Sequence, residues 1–402
     1  MLGLKSKIQS GFDTEKSDTA TCIPLEVSLF PWISDRLCIS NLAMPLRRIA
    51  YVLKIFPKLS ETFIASELAE LRRRGVEVRI LSLLPARDEL RHGMISSAKL
   101  DQITIYDPEK FSALLQEFKP QLLHAHFATE STAAARDLAA AHRIPFTFTA
   151  HGYDIHRKPP VDFAARAAAS AAIVTVSQAN AAYIVKTFGV PAAHVRVIPS
   201  GVDVQFFRSP NERAHSDPVP LIVCVARHVL VKNLGMLVRS CGLLRDRGVP
   251  FRCMLVGDGP CRTELEALSK QLALPGLVEF VGSATQEKVL KYWQRASIGV
   301  LTSDNEGMPV CLMEAAACAV PVVATRVGGI PELVSDGETG LIIPAGDPTA
   351  LASALERLLL DALLRERLGR GARKRAEAMF SLARQVDALI ELWSKILNDA
   401  RQ

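Results

Sequence analysis

No C-x-x-C pair occurs in the 402 residues, although the chain has eight cysteines. Most stand in apolar runs such as LIVCVAR and FRCMLVG, so they read as reduced packing residues of a cytosolic protein. A disulfide frame or zinc site is not expected. No run of about 18 apolar residues exists, so no spanning helix is expected. The opening MLGLKSKIQSGFDTEKSDTATC is without the apolar centre of a secretory signal. There is no Walker phosphate loop, and no basic stripe interleaved with aromatics, so nucleic acid is not an expected partner.

At this length two domains are expected, and with 49% apolar and 22% charged residues each can hold an ordinary core. The net charge of +6 is uneven. Residues 44–210 hold 21 lysines and arginines against 15 acids, whereas the chain from 211 holds 23 against 22. The densest cationic cluster is LRRRG at 71–75. It reads either as a solvated helix end, where cations suit the dipole, or as a docking face for an anionic membrane surface or a lipid-diphosphate acceptor.

Residues 1–43 show no sustained period and read as a disordered extension. From Met44 strand-like and helix-like segments alternate: RRIAYVLKIF, the helical SETFIASELAELRRRG, VEVRILSLL, then QLLHAHF, PFTFTAHG, AAIVTVS and VRVIPSG. A polar, proline-bearing stretch at 209–219 reads as a linker. The rhythm restarts with LIVCVAR, FRCMLVG, LVEFVG, IGVLTS, PVVATRV and TGLIIPAG. Such alternation predicts an α/β protein of two doubly wound parallel sheets, over 44–208 and 220–380, facing a central cleft. Residues 381–402 read as a last helix. Ligands of open parallel sheets sit at strand C-terminal ends.

Candidate residues lie at those ends. Arg227 and Lys232 follow LIVCVAR and suit a diphosphate, one as a planar fork and the other as a point charge. Gly257 and Asp258 in MLVGDGPCRTEL mark a tight strand-to-helix turn near a nucleotide; Arg262 replaces the third glycine of a dinucleotide fingerprint. In TSDNEGMPVCLMEA, Glu306 precedes a helix that Pro309 would open. Glu314 lies inside that helix, too many rises of ~1.5 Å away to share a proton with Glu306. Gly307, Met308, Pro309 and Val310 present backbone N–H groups at a helix start, which is an anion site. Glu314 needs partners if buried, and sugar or ribose hydroxyls would supply them. His151 and Asp154 in FTAHGYDI stand just past a strand. His124 and His126 share a strand face but have no third ligand close in sequence, so no metal site is expected. In PKLSETF, Ser60 reads as a helix N-cap with Glu61 in the first turn. An acceptor hydroxyl contact is the functional alternative.

In this order the motifs resemble the family-four glycosyltransferases of GT-B fold, from about Tyr51 to the end. The most specific are the Glu–seven residues–Glu pattern of EGMPVCLMEA and the following PVVATRVGGIPELVSDGETGLIIPAGD. The opening FPKLSETFI is similar to an exopolysaccharide subgroup of the colanic-acid type. The resemblance implies a retaining hexosyltransferase that takes a nucleotide-diphosphate sugar as co-substrate and no cofactor. The acceptor would be a glycan or a polyprenyl-diphosphate-linked saccharide. Glu314 would hold the ribose, Glu306 the transferred sugar, and Gly307 to Val310 the phosphate and sugar. Arg227 and Lys232 would neutralise the leaving diphosphate, and His151 would face the donor sugar. Ser60, Glu61, Thr62 and Asp154 would meet the acceptor. The absence of a D-x-D motif agrees with metal independence. PKLSET stands where many members have a Gly-Gly turn, and Met308 where an aromatic is frequent. A nucleotide-sugar 2-epimerase on the same fold, or a silent scaffold of a polysaccharide assembly complex, are the alternatives.

Overall fold

The computed structural model describes residues 45–209 and 219–400. The expected extension over 1–43, and all but the ends of the expected linker, lie outside the described residues. The first sheet comprises β1 Arg48–Ile55, β2 Glu77–Leu84, β3 Thr104–Ile105, β4 Leu122–His126, β5 Phe146–Ala150, β6 Ala172–Thr175 and β7 Val195–Val197. The second comprises β8 Leu221–Val225, β9 Arg252–Val256, β10 Val278–Gly282, β11 Ile298–Leu301, β12 Val322–Thr325 and β13 Gly340–Ile343. Every pairing is parallel, in the orders β3-β2-β1-β4-β5-β6-β7 and β10-β9-β8-β11-β12-β13.

The strands read as unbroken apolar runs because helices cover both faces of each sheet. Alternate residues of β8 show this: Leu221 and Val223 enter one core, Ile222 and Cys224 the core on the opposite face. Cys224, Cys241 and Cys253 are buried as packing residues. In both sheets the order reverses between the first and fourth strands, β1/β4 and β8/β11, and such switch points open crevices at the strand C-terminal ends. Among the described residues no helix is long and apolar enough to cross a membrane.

The helix Thr62–Arg73 buries Ile64, Leu68 and Leu71, and Gly75 follows it with φ +81°. Its cap residue is Glu61, without a side-chain bond to the backbone, so the expectation that Ser60 caps it is corrected. Two segments cross between the domains. One runs outward through Ile198–Val202, the other returns through Phe380–Leu382. They are laced side by side, Val202 N donating to Phe380 O and Leu382 N to Val202 O, each at 2.9 Å. Gly201 is required there, since a Cβ would lie 2.6 Å from Leu382 Cα. The final helix, Leu382–Asp399, then lays Val386, Leu389 and Trp393 into the core of the first domain, beside Tyr51 and Ile64.

Candidate active site

The loop after β11 carries the first group. Thr302 Oγ1 donates to Lys232 O and Asn233 O at 2.9 and 3.0 Å, and Asp304 N donates to Val231 O at 2.9 Å. These bonds lash the β8 and β11 loops together and bring Lys232 onto Glu306 as an ion pair. Ser303 Oγ donates to Glu306 Oε1 at 2.6 Å. Burial works against the Lys232 ammonium, but Glu306 beside it prevails and holds its pKa above the ordinary lysine value. The helix Val310–Ala317 starts one residue later than expected, because Pro309 is its extended cap residue, not a member of its first turn.

Glu314 is buried on that helix and accepts a hydrogen bond from Trp293 Nε1 at 3.3 Å. Burial pushes its carboxyl pKa up to about 7. The two glutamates face different spaces. Glu306, Arg227, Lys232 and Gly307 line a chamber of about 500 Å³ together with His151, Ser60 and Glu61. Glu314 lines a second chamber of about 510 Å³ with Thr62, Gln286 and Glu287. Phe63 and Val310 border both chambers, so the two spaces meet there.

His151 stands on the opposite wall, past β5. Its ring stacks on His126 (centroids 5.2 Å apart, 21° between planes) and leans on Phe63 and Phe127. Burial, aided by His126, holds its pKa well below the ordinary histidine value. The domains touch at this point: a Cβ on Gly307 would lie 2.4 Å from His151 O. Within the second domain, a Cβ on Gly328, at φ +49°, would lie 1.7 Å from Glu306 O, and one on Gly329 2.0 Å from Gly307 O. These approaches give RVGGIPEL its glycines. Next to them Glu332 accepts from Gln178 N and Ala179 N, both at 2.9 Å, capping a helix of the other domain. His92 and Gly93 bond across to Gln286 and Glu287 at 3.1 Å.

Several expected contacts do not arise. Asp154 does not face an acceptor: it is fully buried and accepts from Ala128 N, His151 N and Gly152 N, which fixes the His151 turn. Gly257 and Asp258 line neither chamber. Gly257 packs on Ala226, and the Asp258 carboxylate is spent on Gly259 N and Arg262. In LRRRG, Arg73 and Arg74 are tied to Glu70, and Arg74 also to Asp387, so the helix-end reading of that cluster is the one this geometry favours. Glu61 is ion-paired to Lys58.

A third potential metal ligand does join His124 and His126, namely Glu67, from the distant helix Thr62–Arg73. Its donors are already engaged. His124 bonds Thr147 and Thr149 through both ring nitrogens at 2.8 and 3.0 Å, and His126 spends its two on His151 and Glu67. Glu67, Asn180 and Glu332 were not singled out by sequence reasoning. Their decisive partners are non-local: Glu67 meets His126 59 positions away, Asn180 donates to His151 O 29 positions away, and Glu332 meets Gln178 N 154 positions away.

Comparison with known proteins bears on this geometry. The family model "Glycosyltransferase Family 4" matches residues 60–206, and "Glycosyl transferases group 1" matches 206–375. The chain belongs to the family-four glycosyltransferases. It is 36% identical over 176 residues to the putative colanic acid biosynthesis glycosyltransferase WcaL of Salmonella typhimurium, covering 42% of this chain and 43% of that one. The matched part is thus less than half the length of that curated relative. Among solved structures, this chain superposes on sucrose-phosphate synthase from Thermosynechococcus elongatus. That match has a TM-score of 0.74 at 20% identity, over 88% of this chain and 100% of the other. Anabaena HepE in complex with UDP-glucose gives 0.72 at 17% identity, over 87% and 99%. These structures establish the GT-B fold for this chain.

Proposed function

We propose that the protein moves a hexose from a nucleotide-diphosphate sugar to a hydroxyl of a glycan or polyprenyl-diphosphate-linked acceptor in polysaccharide biosynthesis, with retention and without a metal ion. The observation that carries this reading is the meeting of Arg227, Lys232, Glu306 and the Gly307–Val310 turn at one switch-point cleft, opposite His151. The diphosphate lies against Arg227, Lys232 and the helix start, while the sugar reaches Glu306 and His151. The nucleoside passes Val310 into the second chamber, where Glu314 accepts from ribose hydroxyls. HepE, a structural neighbour, was crystallised with UDP-glucose, and WcaL is named for colanic acid biosynthesis; both support this choice of donor and role.

As the anomeric C–O bond breaks, charge grows on the β-phosphate and the fixed cations and helix-end N–H groups stabilise it. The acids lining the first chamber, Glu61 and Glu306, are each engaged by a lysine, which leaves neither as a free nucleophile. A same-face attack, with the acceptor proton passing to the departing phosphate oxygen, keeps the anomeric configuration. Closure of the domains through Glu332 and Gly307 excludes water from the donor. The surplus of cations over residues 44–210 supports work at an anionic membrane face.

The test is a melting panel with UDP-glucose, UDP-galactose and GDP-mannose, followed by NMR of the product made from the best binder. The expected product keeps the donor's anomeric configuration and forms in the presence of chelator. No stabilisation by any nucleotide sugar would overturn the reading, and isomerised donor formed without acceptor would replace it by the epimerase.

A further inference from the structure

Behind His151 runs a chain of buried polar groups that the transfer reading leaves unused. His151 Nε2 lies 3.0 Å from His126 Nδ1, and His126 Nε2 lies 3.1 Å from Glu67 Oε1. Tyr51 donates to the same oxygen at 2.6 Å, and Gln385 Nε2 to Glu67 Oε2 at 2.7 Å. Gln385 is itself held by Gly201, whose N–H donates to its Oε1 at 2.6 Å. Glu67, His126 and Gln385 are all buried.

The direction of every bond follows from its far end. A backbone N–H only donates, so the Gln385 oxygen faces Gly201 and its amide nitrogen faces Glu67. The Glu67 carboxylate accepts from Gln385 and Tyr51, and equally from His126, whose ring proton is then on Nε2. The bare His126 Nδ1 must accept, so the His151 proton is on Nε2. With one proton per ring, His151 Nδ1 is left as a lone pair, without a partner among the described residues, in a ring that lines the first chamber.

We propose that Glu67 is the positioning residue of this site: through His126 it fixes the His151 proton on Nε2 and makes Nδ1 an obligate acceptor for a hydroxyl of the bound sugar. This rests on the reading that His151 faces the donor sugar. Glu67 comes from the helix Thr62–Arg73, and its anchor Gln385 from the helix that returns from the second domain. The hydrogen-bond polarity at the sugar is therefore set at the crossing between the domains.

Glu67→Gln tests the direction without removing the shape. Gln385 still offers its amide to position 67, so the new oxygen must face Gln385 and the new amide must face His126. Protons on His126 and His151 are then driven to Nδ1. In the full chain labelled with ¹⁵N-histidine, assigned with His126→Asn and His151→Asn, wild type is expected to show both rings protonated on Nε2. E67Q should show both protonated on Nδ1. Turnover of the donor chosen by the melting panel should fall at least tenfold in E67Q, with KM for that donor within threefold of wild type.

An Nδ1-protonated His151 or a doubly protonated His126 in the wild type overturns the proposal, whether or not E67Q folds. So does a folded E67Q with unchanged tautomers or unchanged turnover. If His151→Ala turns over as wild type while the tautomers are as expected, the sugar contact fails but the Glu67 device stands, so the two failures are separable.

Discussion

Lys232 and Glu306 form a nearly buried ion pair between the loops that follow β8 and β11. Removing one member strands the other charge in a poorly solvated place, which costs more than the pair itself contributes. Lys232→Ala is expected to lower the melting temperature by several degrees, and Lys232→Ala with Glu306→Ala to recover part of the loss. Each single variant should reduce turnover at least tenfold, because the diphosphate loses its ammonium or the sugar its acceptor. Unchanged turnover in both, measured by release of nucleotide diphosphate, would remove the pair from the mechanism.

Glu314, with a folded pKa of about 7, binds its proton more tightly than the unfolded chain does. Between the ordinary glutamate value and pH 7 the native state holds more protons, so this group's contribution falls as pH rises. The total is bounded at about 3 kcal/mol. His124 and His151, whose pKa values burial lowers, act in the opposite sense, losing stability as pH falls. The difference between wild type and Glu314→Gln isolates the glutamate. Urea unfolding at pH 5 and pH 7.5 should show wild type losing stability relative to the variant, and a parallel pair of curves would contradict the burial argument.

Gly307→Ala places a methyl group against the His151 carbonyl, where 2.4 Å is available. The second domain cannot then seat on the first. Stability of each domain should be little changed, while donor affinity falls at least tenfold and small-angle scattering shows a larger radius of gyration. Equal affinity and equal radius would mean that the contact yields locally.

Trp393→Ala empties a buried site between Tyr51 and His124 and removes the bond from Nε1 to Thr147 at 3.1 Å. A loss of about 3–5 kcal/mol is expected for such a truncation. Limited proteolysis should then cut within 382–399, where wild type resists, because that helix has lost its principal anchor.

The two parallel sheets were legible because buried strands and alanine-rich helices leave different periods in the text. The separation of Glu306 from Glu314 was equally legible, since both belong to one loop–helix unit. What escaped was non-local. Asp154 sits beside His151 in sequence and shares its exposure to the cleft on paper. Only the fold shows its carboxylate turned inward onto three amides. Glu67 reads as one more polar residue of an amphipathic helix until β4 brings His126 over it. The LRRRG cluster left two readings open because Asp387, one of its counter-ions, lies over 300 residues away.

The lacing of Val202 to Phe380 and Leu382 leaves the two lobes with a single spine. A chain that joined its lobes by one strand could slide or twist freely; two strands stitched at Gly201 restrict motion to a swing about that seam. Points far from the seam then travel most, whereas Glu332 and Gln178 meet near it, since Arg375 donates to Glu332 O at 2.7 Å and lies over the Phe380 ring of the seam. Substrate entry is thereby tied to one angular coordinate, which a spin label on each lobe would report as one distance changing smoothly.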